Sequence, residues 1–250
     1  MGISAMHAAA TGMRALDTKL NVVANNLANV NTVGFKRSRV NFEDLLYQIR
    51  REPGVRDVND EPNPHGIQVG LGVQVSGTQL NFENGTLDLT GRELDVAIEG
   101  PGFFKVRTYH NGEEIIAYTR AGNFVQNANG NLVLANSDGS LLEPPVTLGE
   151  DVIQVEIERT GQVRVLQQGN PELVQVGQIE LSRFVNPEGL LSIGKNLFIE
   201  TDASGTPIEG NPMEDGLGAL KSGVLEGSNV EPVRELVDLI FTQRGFELNS

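Results

Sequence analysis

The sequence predicts an α+β protein. An antiparallel β domain, or domains, fills the middle of the chain, and N- and C-terminal amphipathic helices pair as a coiled-coil-like helical domain. Three observations predict this. Apolar residues recur at steps of three and four near the start, short alternating runs separated by turn dipeptides follow, and a second three-and-four stripe closes the chain. The expected division is a helical part over 1–46, an extended linker over 47–66, a β-rich domain over 67–224 and a C-terminal helix over 225–250.

The first helix rests on two apolar columns. One runs Met6, Met13, Leu20, Leu27 and the other Ala9, Leu16, Val23, Val30, which is the heptad spacing of helices packed side by side. No proline interrupts the run, and from Ile3 to about Asn29 the helix would be roughly 40 Å long at ~1.5 Å per residue. Such a helix cannot bury its stripe alone and needs a partner helix. Its end is crowded with asparagine, at Asn21, Asn25, Asn26, Asn29 and Asn31, although Asn is a poor helix former. Two readings stand. The amides fray and cap the helix, with Asn31, Thr32 and Gly34 ending it. Alternatively, Asn25, Asn26, Asn29 and Asn31 hydrogen-bond across a helix–helix interface and fix its register.

Phe35 to Arg39 forms a short basic exit, and Asn41 to Gln48 reads as a short helix with Phe42, Leu45 and Leu46 on one side. Arg50 to Pro64 is polar, contains Pro53, Pro62 and Pro64, and lacks periodicity, so it reads as an extended linker or protruding loop. A loop of that length inside a compact domain calls for a function. From about Gly66 to Val224 strand signals dominate. Alternating runs such as Val152–Ile157 and Val174–Phe184 lie between Asn111-Gly112, Asn129-Gly130, Asp138-Gly139 and Thr160-Gly161 turns. That spacing indicates a sandwich or barrel. At the end, Ser228 and Asn229 can cap a helix with Pro232 in its first turn. Val230, Val233, Val237 and Ile240 form its apolar stripe.

Composition narrows the function. With 19 Lys+Arg against 33 Asp+Glu the net charge is -14, which repels nucleic acid and anionic lipid. There is no cysteine, so disulfides, thiol nucleophiles and Cys-ligated zinc are excluded. The N-terminus lacks the basic start and continuous apolar run of a secretory signal, and no window is apolar enough to span a membrane. His7, His65 and His110 stand apart, and no triad or metal triplet surrounds them. Glu156 and Glu158 share a strand face. Paired carboxylates are conceivable there, but a solvated outer strand face fits so acidic a chain better, and the distant alternative, a carbohydrate-active β domain, has no acid/base pair of known geometry behind it. No catalytic residue, cofactor or metal is expected.

Several stretches carry a resemblance. Ala24-Asn25-Asn26-Leu27-Ala28-Asn29-Val30-Asn31-Thr32-Val33-Gly34-Phe35-Lys36-Arg37, Asp95 to Phe104, Tyr118 to Phe124, and Gly223 to Val230 with the helix after it are similar to signatures of the bacterial flagellar rod and hook family. The resemblance implies subunits of a hollow helical tube, with paired terminal helices as an inner core, β domains outside, and torque passing along the tube. It implies export, unfolded and without a cleaved signal, through the flagellar type III export apparatus. The motif read by the export gate would be Phe42 to Leu46, with Phe42 and Leu46 as its apolar pair. The implied partners are further copies of the chain, proximal rod proteins, the hook protein, and the surrounding periplasmic and outer-membrane rings. Tyr47 to Gly70 resembles a segment by which distal rods stiffen subunit packing, which leaves a proximal-rod or hook subunit as the alternative. The family's C-terminal helix runs further than Ser250, so the sequence is either cut short there or carries a short inner helix. Gly245 stands where the family usually has Ala.

Overall fold

Heptad spacing and a proline-free run carry Gly2–Ala28 into a continuous helix, α1. The computed structural model describes residues 2–54, 65–149, 151–169 and 172–249, with side chains from Ala5 onward. The chain divides into two units, one made of Met1–Ala28, Ser38–Leu80 and Glu231–Ser250, the other of Asn29–Arg37 and Asn81–Val230.

In the first unit α1 is joined by strands β1 (Ser38–Asp44), β2 (Tyr47–Arg51), β3 (Ile67–Gly70) and β4 (Val73–Leu80), and by a second helix, α2 (Pro232–Asn249). β1 pairs antiparallel with β4, with a bulge between Asn41 and Phe42, and β2 pairs antiparallel with β3. Leu45 N–H donates to Gly72 O at 2.9 Å and Leu71 N–H to Leu46 O at 3.2 Å, so the two pairings run on as one two-stranded arm. At Gly72 the backbone passes against α1 with φ +124°, and a Cβ there would collide with Thr11 Oγ1.

Two expectations are corrected here. Residues 41–44 and 47–48 are strand, with Leu45 and Leu46 between them, and not helix. Three apolar residues within so short a segment fit either period, and long-range pairing with β4 and β3 decides between them. The stretch expected to be a linker, 47–66, begins as strand β2, which pairs with β3 just beyond its end, because their backbone groups satisfy one another across the arm. The remainder of that expected linker, residues 55–64, lies outside the described residues.

The second unit is all β. Its strands are β5 (Leu87–Leu89), β6 (Val96–Glu99), β7 (Phe103–His110), β8 (Glu113–Thr119), β9 (Phe124–Gln126), β10 (Leu132–Leu134), β11 (Leu141–Glu143), β12 (Val152–Ile157), β13 (Gln162–Gln167), β14 (Leu173–Gln178), β15 (Leu181–Arg183), β16 (Leu191–Gly194), β17 (Leu197–Ile199), β18 (Ile208–Gly210), β19 (Ala219–Ser222) and β20 (Val224–Glu226). The main sheet runs β16-β17-β8-β7-β11-β10-β9, with β15 joining β7 and β18 joining β15. β12-β13-β14, β19-β6 and β20-β5 form smaller antiparallel sheets. The alternation read in the sequence is visible in β7, where Phe104, Val106 and Thr108 are buried and Arg107 and Tyr109 exposed. Val96, Ile98, Phe104, Phe124, Leu132, Leu142, Val163, Val165, Ile179 and Leu181 meet in one core, and Phe104 and Phe124 pack edge to face at 5.1 Å.

Charge is also buried in this unit. Lys36 Nζ donates to Glu226 Oε1 at 2.7 Å and to Glu83 O at 2.7 Å. Arg120 Nη1 reaches Glu226 Oε2 at 3.4 Å, and Gly85 N–H donates to Glu226 Oε1 at 3.0 Å. Both the Lys36 and Glu226 side chains are 0% exposed. Burial pulls the Lys36 ammonium below its usual pKa, against the attraction of Glu226. Beside these charges Asn229 Oδ1 accepts from Arg37 N–H at 2.7 Å, and its Nδ2 donates to Asn81 O at 2.8 Å.

Removing the carboxylate strands two buried cations. Glu226→Gln is expected to lower stability by ~3–5 kcal/mol in urea titrations followed by far-UV circular dichroism. Burial, reinforced by Glu200 and Glu209, pushes the Tyr118 phenol up to about 12 from its ordinary 10.0. Between those values the unfolded chain holds fewer protons than the folded one, so stability is fully present below pH 10 and falls as pH rises toward 12. Unfolding measured across that window should show a fall that Tyr118→Phe reduces.

Candidate assembly interface

The candidate interface is the helical pair of the first unit. α1 and α2 run antiparallel. A Cβ on Gly12 would lie 3.7 Å from Asn249, one on Gly245 would lie 3.5 Å from Leu16, and Asn26 Nδ2 donates to Glu235 Oε2 at 3.2 Å. The face that α2 turns to α1 is polar and small. Glu235 is 0% and Thr242 2% exposed, Asp238 and Gly245 are half-buried, and Thr242 Oγ1 bonds back to Asp238 O at 2.6 Å.

The apolar stripe of α2 therefore points away. Val233 is 75%, Val237 45% and Ile240 48% exposed, and Leu236, Phe241 and Leu248 are exposed with them. Val230, expected at the head of that stripe, precedes the helix and is buried in the second unit. On α1 the expected columns are mostly half-buried: Ala9, Met13, Leu16, Leu20 and Leu27 lie between the extremes, and Val30 follows the helix. Val23 is buried, as is Ala15 beside the columns, and Met6 is 65% exposed.

The asparagine cluster divides. Asn26 is buried and works as a clasp: its Nδ2 donates to Ser38 O at 2.8 Å, its Oδ1 accepts from Ser38 N–H at 3.0 Å, and it reaches Glu235. It thus joins α1, β1 and α2. Asn29 works locally at the helix end, accepting from Thr32 N–H at 3.2 Å and from Thr32 Oγ1 at 3.1 Å. Asn25 and Asn31 are exposed. The arm adds an apolar surface, with Leu46 83% exposed and Phe42, Tyr47, Ile49 and Ile67 exposed along it.

Sequence reasoning missed the inward face of α2, Glu235 and Thr242, whose spacing of seven residues was legible but whose polarity assigned it to solvent. It read Lys36 as part of a basic exit, and nothing local linked it to Arg120 or Glu226. Glu158 pairs with Arg164 at 2.7 Å, and Glu156 is exposed. Among the described residues no group of three or more His, Asp or Glu is placed to hold a metal, and no helix is long and apolar enough to cross a membrane.

Gly245 faces α1 with room for a methyl group at ordinary contact distance from Leu16. Gly245→Ala is expected to stabilise the helical unit by ~1 kcal/mol, read as a higher midpoint in thermal unfolding.

Three family models match the chain: "Flagella basal body rod protein" over 6–36, "Flagellar hook protein FlgE/F/G D1 domain" over 97–165, and "Flagellar basal body rod FlgEFG protein C-terminal" over 221–250. The chain is 44% identical over 247 residues to the flagellar basal-body rod protein FlgG of Agrobacterium fabrum, covering 98% of this chain and 92% of the relative. It is 43% identical over 249 residues to FlgG of Caulobacter vibrioides, covering 99% and 93%. To the rod protein FlgF of the same bacterium it is 33% identical over 249 residues, covering 98% and 89%. With relatives this similar over nearly their whole length, the chain belongs to the flagellar basal-body rod protein family, whose members are structural parts of the bacterial flagellum.

Proposed function

We propose that the chain is a self-assembling subunit of the flagellar distal rod. Copies build a stiff hollow helical shaft that transmits motor torque to the hook and lets export substrates pass. The observation that carries this reading is the outward apolar stripe of α2, from Val233 to Leu248, on a helix whose partner-facing side is polar. Six large apolar side chains held in water by their own fold find cover only against another polypeptide. The half-buried columns of α1 complete their burial in the same contacts, and long helices packed in parallel give a wall that resists bending.

The greater similarity to FlgG than to FlgF of one bacterium favours the distal over the proximal rod, with a proximal-rod or hook subunit as the second reading. The apolar arm of β2 and β3 supports stiff packing between subunits. The proposed neighbours are further copies, proximal rod proteins, the hook protein, and the periplasmic and outer-membrane rings around a rod that spans the periplasm. Delivery without a cleaved signal falls to the type III export apparatus. Phe42 and Leu46, both exposed on the arm, serve as its recognition pair while the chain is unfolded.

Electron microscopy of the concentrated chain tests this reading. Straight tubes are expected from the wild type. Val237→Asp and Ile240→Asp touch exposed positions, so both variants should keep the monomer's circular dichroism and form no tubes. Tubes from either variant would remove α2 from the interface.

A further inference from the structure

In the second unit a cleft of about 410 Å³ is lined by Phe82, Phe103 and Phe184, by Gly100 to Gly102, and by Arg120 and Arg183. Its size is that of a ligand pocket. The rings pack edge to face, Phe82 on Phe103 at 5.3 Å and Phe103 on Phe184 at 5.8 Å, so the walls are set before anything enters.

Arg120 is 3% exposed, and its guanidinium carbon sits 5.3 Å over the Phe103 ring. Its Nη2 donates to Gly100 O at 2.8 Å and its Nη1 to Ile98 O and Glu226 Oε2, both at 3.4 Å. Its Nε–H is buried and has no acceptor. The Nε–H of Arg183 is likewise buried without an acceptor. Leaving a buried donor unmade costs ~1–3 kcal/mol, more for a charged group. Here two such donors belong to arginines of one cleft.

Charge points to the missing acceptor. Lys36, Arg120 and Arg183 bring three cations to this neighbourhood, and Glu226 and Glu83 two carboxylates. Glu83 is already engaged by Asn81 Nδ2 at 2.9 Å. The balance is one positive charge inside a chain whose net charge is -14. A guanidinium Nε–H suits a planar carboxylate, and the aromatic walls suit an acid carried on an apolar stem.

We propose that this cleft is a carboxylate receptor, seating a glutamate or aspartate side chain from a neighbouring copy of the chain. A second copy fits the charge complementarity, because 33 Asp+Glu against 19 Lys+Arg make carboxylate the group its surface offers in excess. The identity of the occupant rests on the self-assembly reading; the chemistry of the cleft does not.

The test has two arms. In the first, the isotope-labelled full chain is titrated with phenylacetate and with its neutral analogue phenylacetamide, and arginine Nε–H and backbone signals are followed by NMR. Phenylacetate should shift the Arg120 and Arg183 Nε–H and Phe103 signals saturably, with Kd on the order of 1 mM. The amide should bind about ten-fold more weakly or not at all, and Arg183→Gln should lose about ten-fold in affinity with the rest of its spectrum unchanged. Equal binding of acid and amide, or no movement of the arginine signals, would overturn the receptor. In the second arm, Arg183→Gln should slow tube growth about ten-fold, and added phenylacetate should slow growth of the wild type. Tube growth by Arg183→Gln at the wild-type rate would overturn the neighbouring copy as occupant. Absence of tubes from the wild type would instead count against the self-assembly reading, and the titration would still decide the cleft.

Discussion

The contact on which the β unit depends is the buried carboxylate of Glu226. It meets the Lys36 ammonium, the Arg120 guanidinium and the Gly85 amide within one dry site. Pairs of this kind contribute little net stability compared with well-packed apolar groups, because both partners lose their water. Their effect is to penalise every arrangement in which one partner is missing. Here the partners come from the start, the middle and the end of the sequence, so the site enforces one closure of the chain. Asn229 extends it by holding Arg37 and Asn81 through backbone bonds.

The helical unit follows an opposite logic. A lone pair of amphipathic helices would be most stable with both apolar stripes turned inward. α2 instead spends its inward face on Glu235 and Thr242 and leaves Val233, Val237 and Ile240 in water. Asn26 makes this arrangement specific, since its amide is satisfied only when α1, β1 and α2 are all in place. The subunit holds its helix pair by polar register and leaves the apolar stripe of α2 exposed.

What could be read from the sequence depended on whether a residue's partner lay nearby. The α+β class, both terminal helices and the β-rich middle were legible because each rests on local periodicity or turn chemistry. The helix expected over 41–48 failed because Phe42, Leu45 and Leu46 fit two periods, and the partners that decide, Val73 and Val75 on β4, lie some thirty residues on. The heptad in α2 gave the right period and left open which face would meet α1, since burial in one chain and burial in an assembly leave the same pattern. Among the asparagines, spacing could not separate the clasp at Asn26 from the cap at Asn29. Lys36 and Glu226 are separated by 190 positions, and no pattern within either stretch announces the other.

That separation has a kinetic consequence. A chain emerging N-terminus first presents Lys36 early and Arg120 midway, and both must wait for position 226 of 250 before they can be desolvated at tolerable cost. Until then the β unit has no inexpensive way to close around them. The stretch around Glu226 therefore completes the β unit, and a chain that has not yet reached it leaves both cations unpaired.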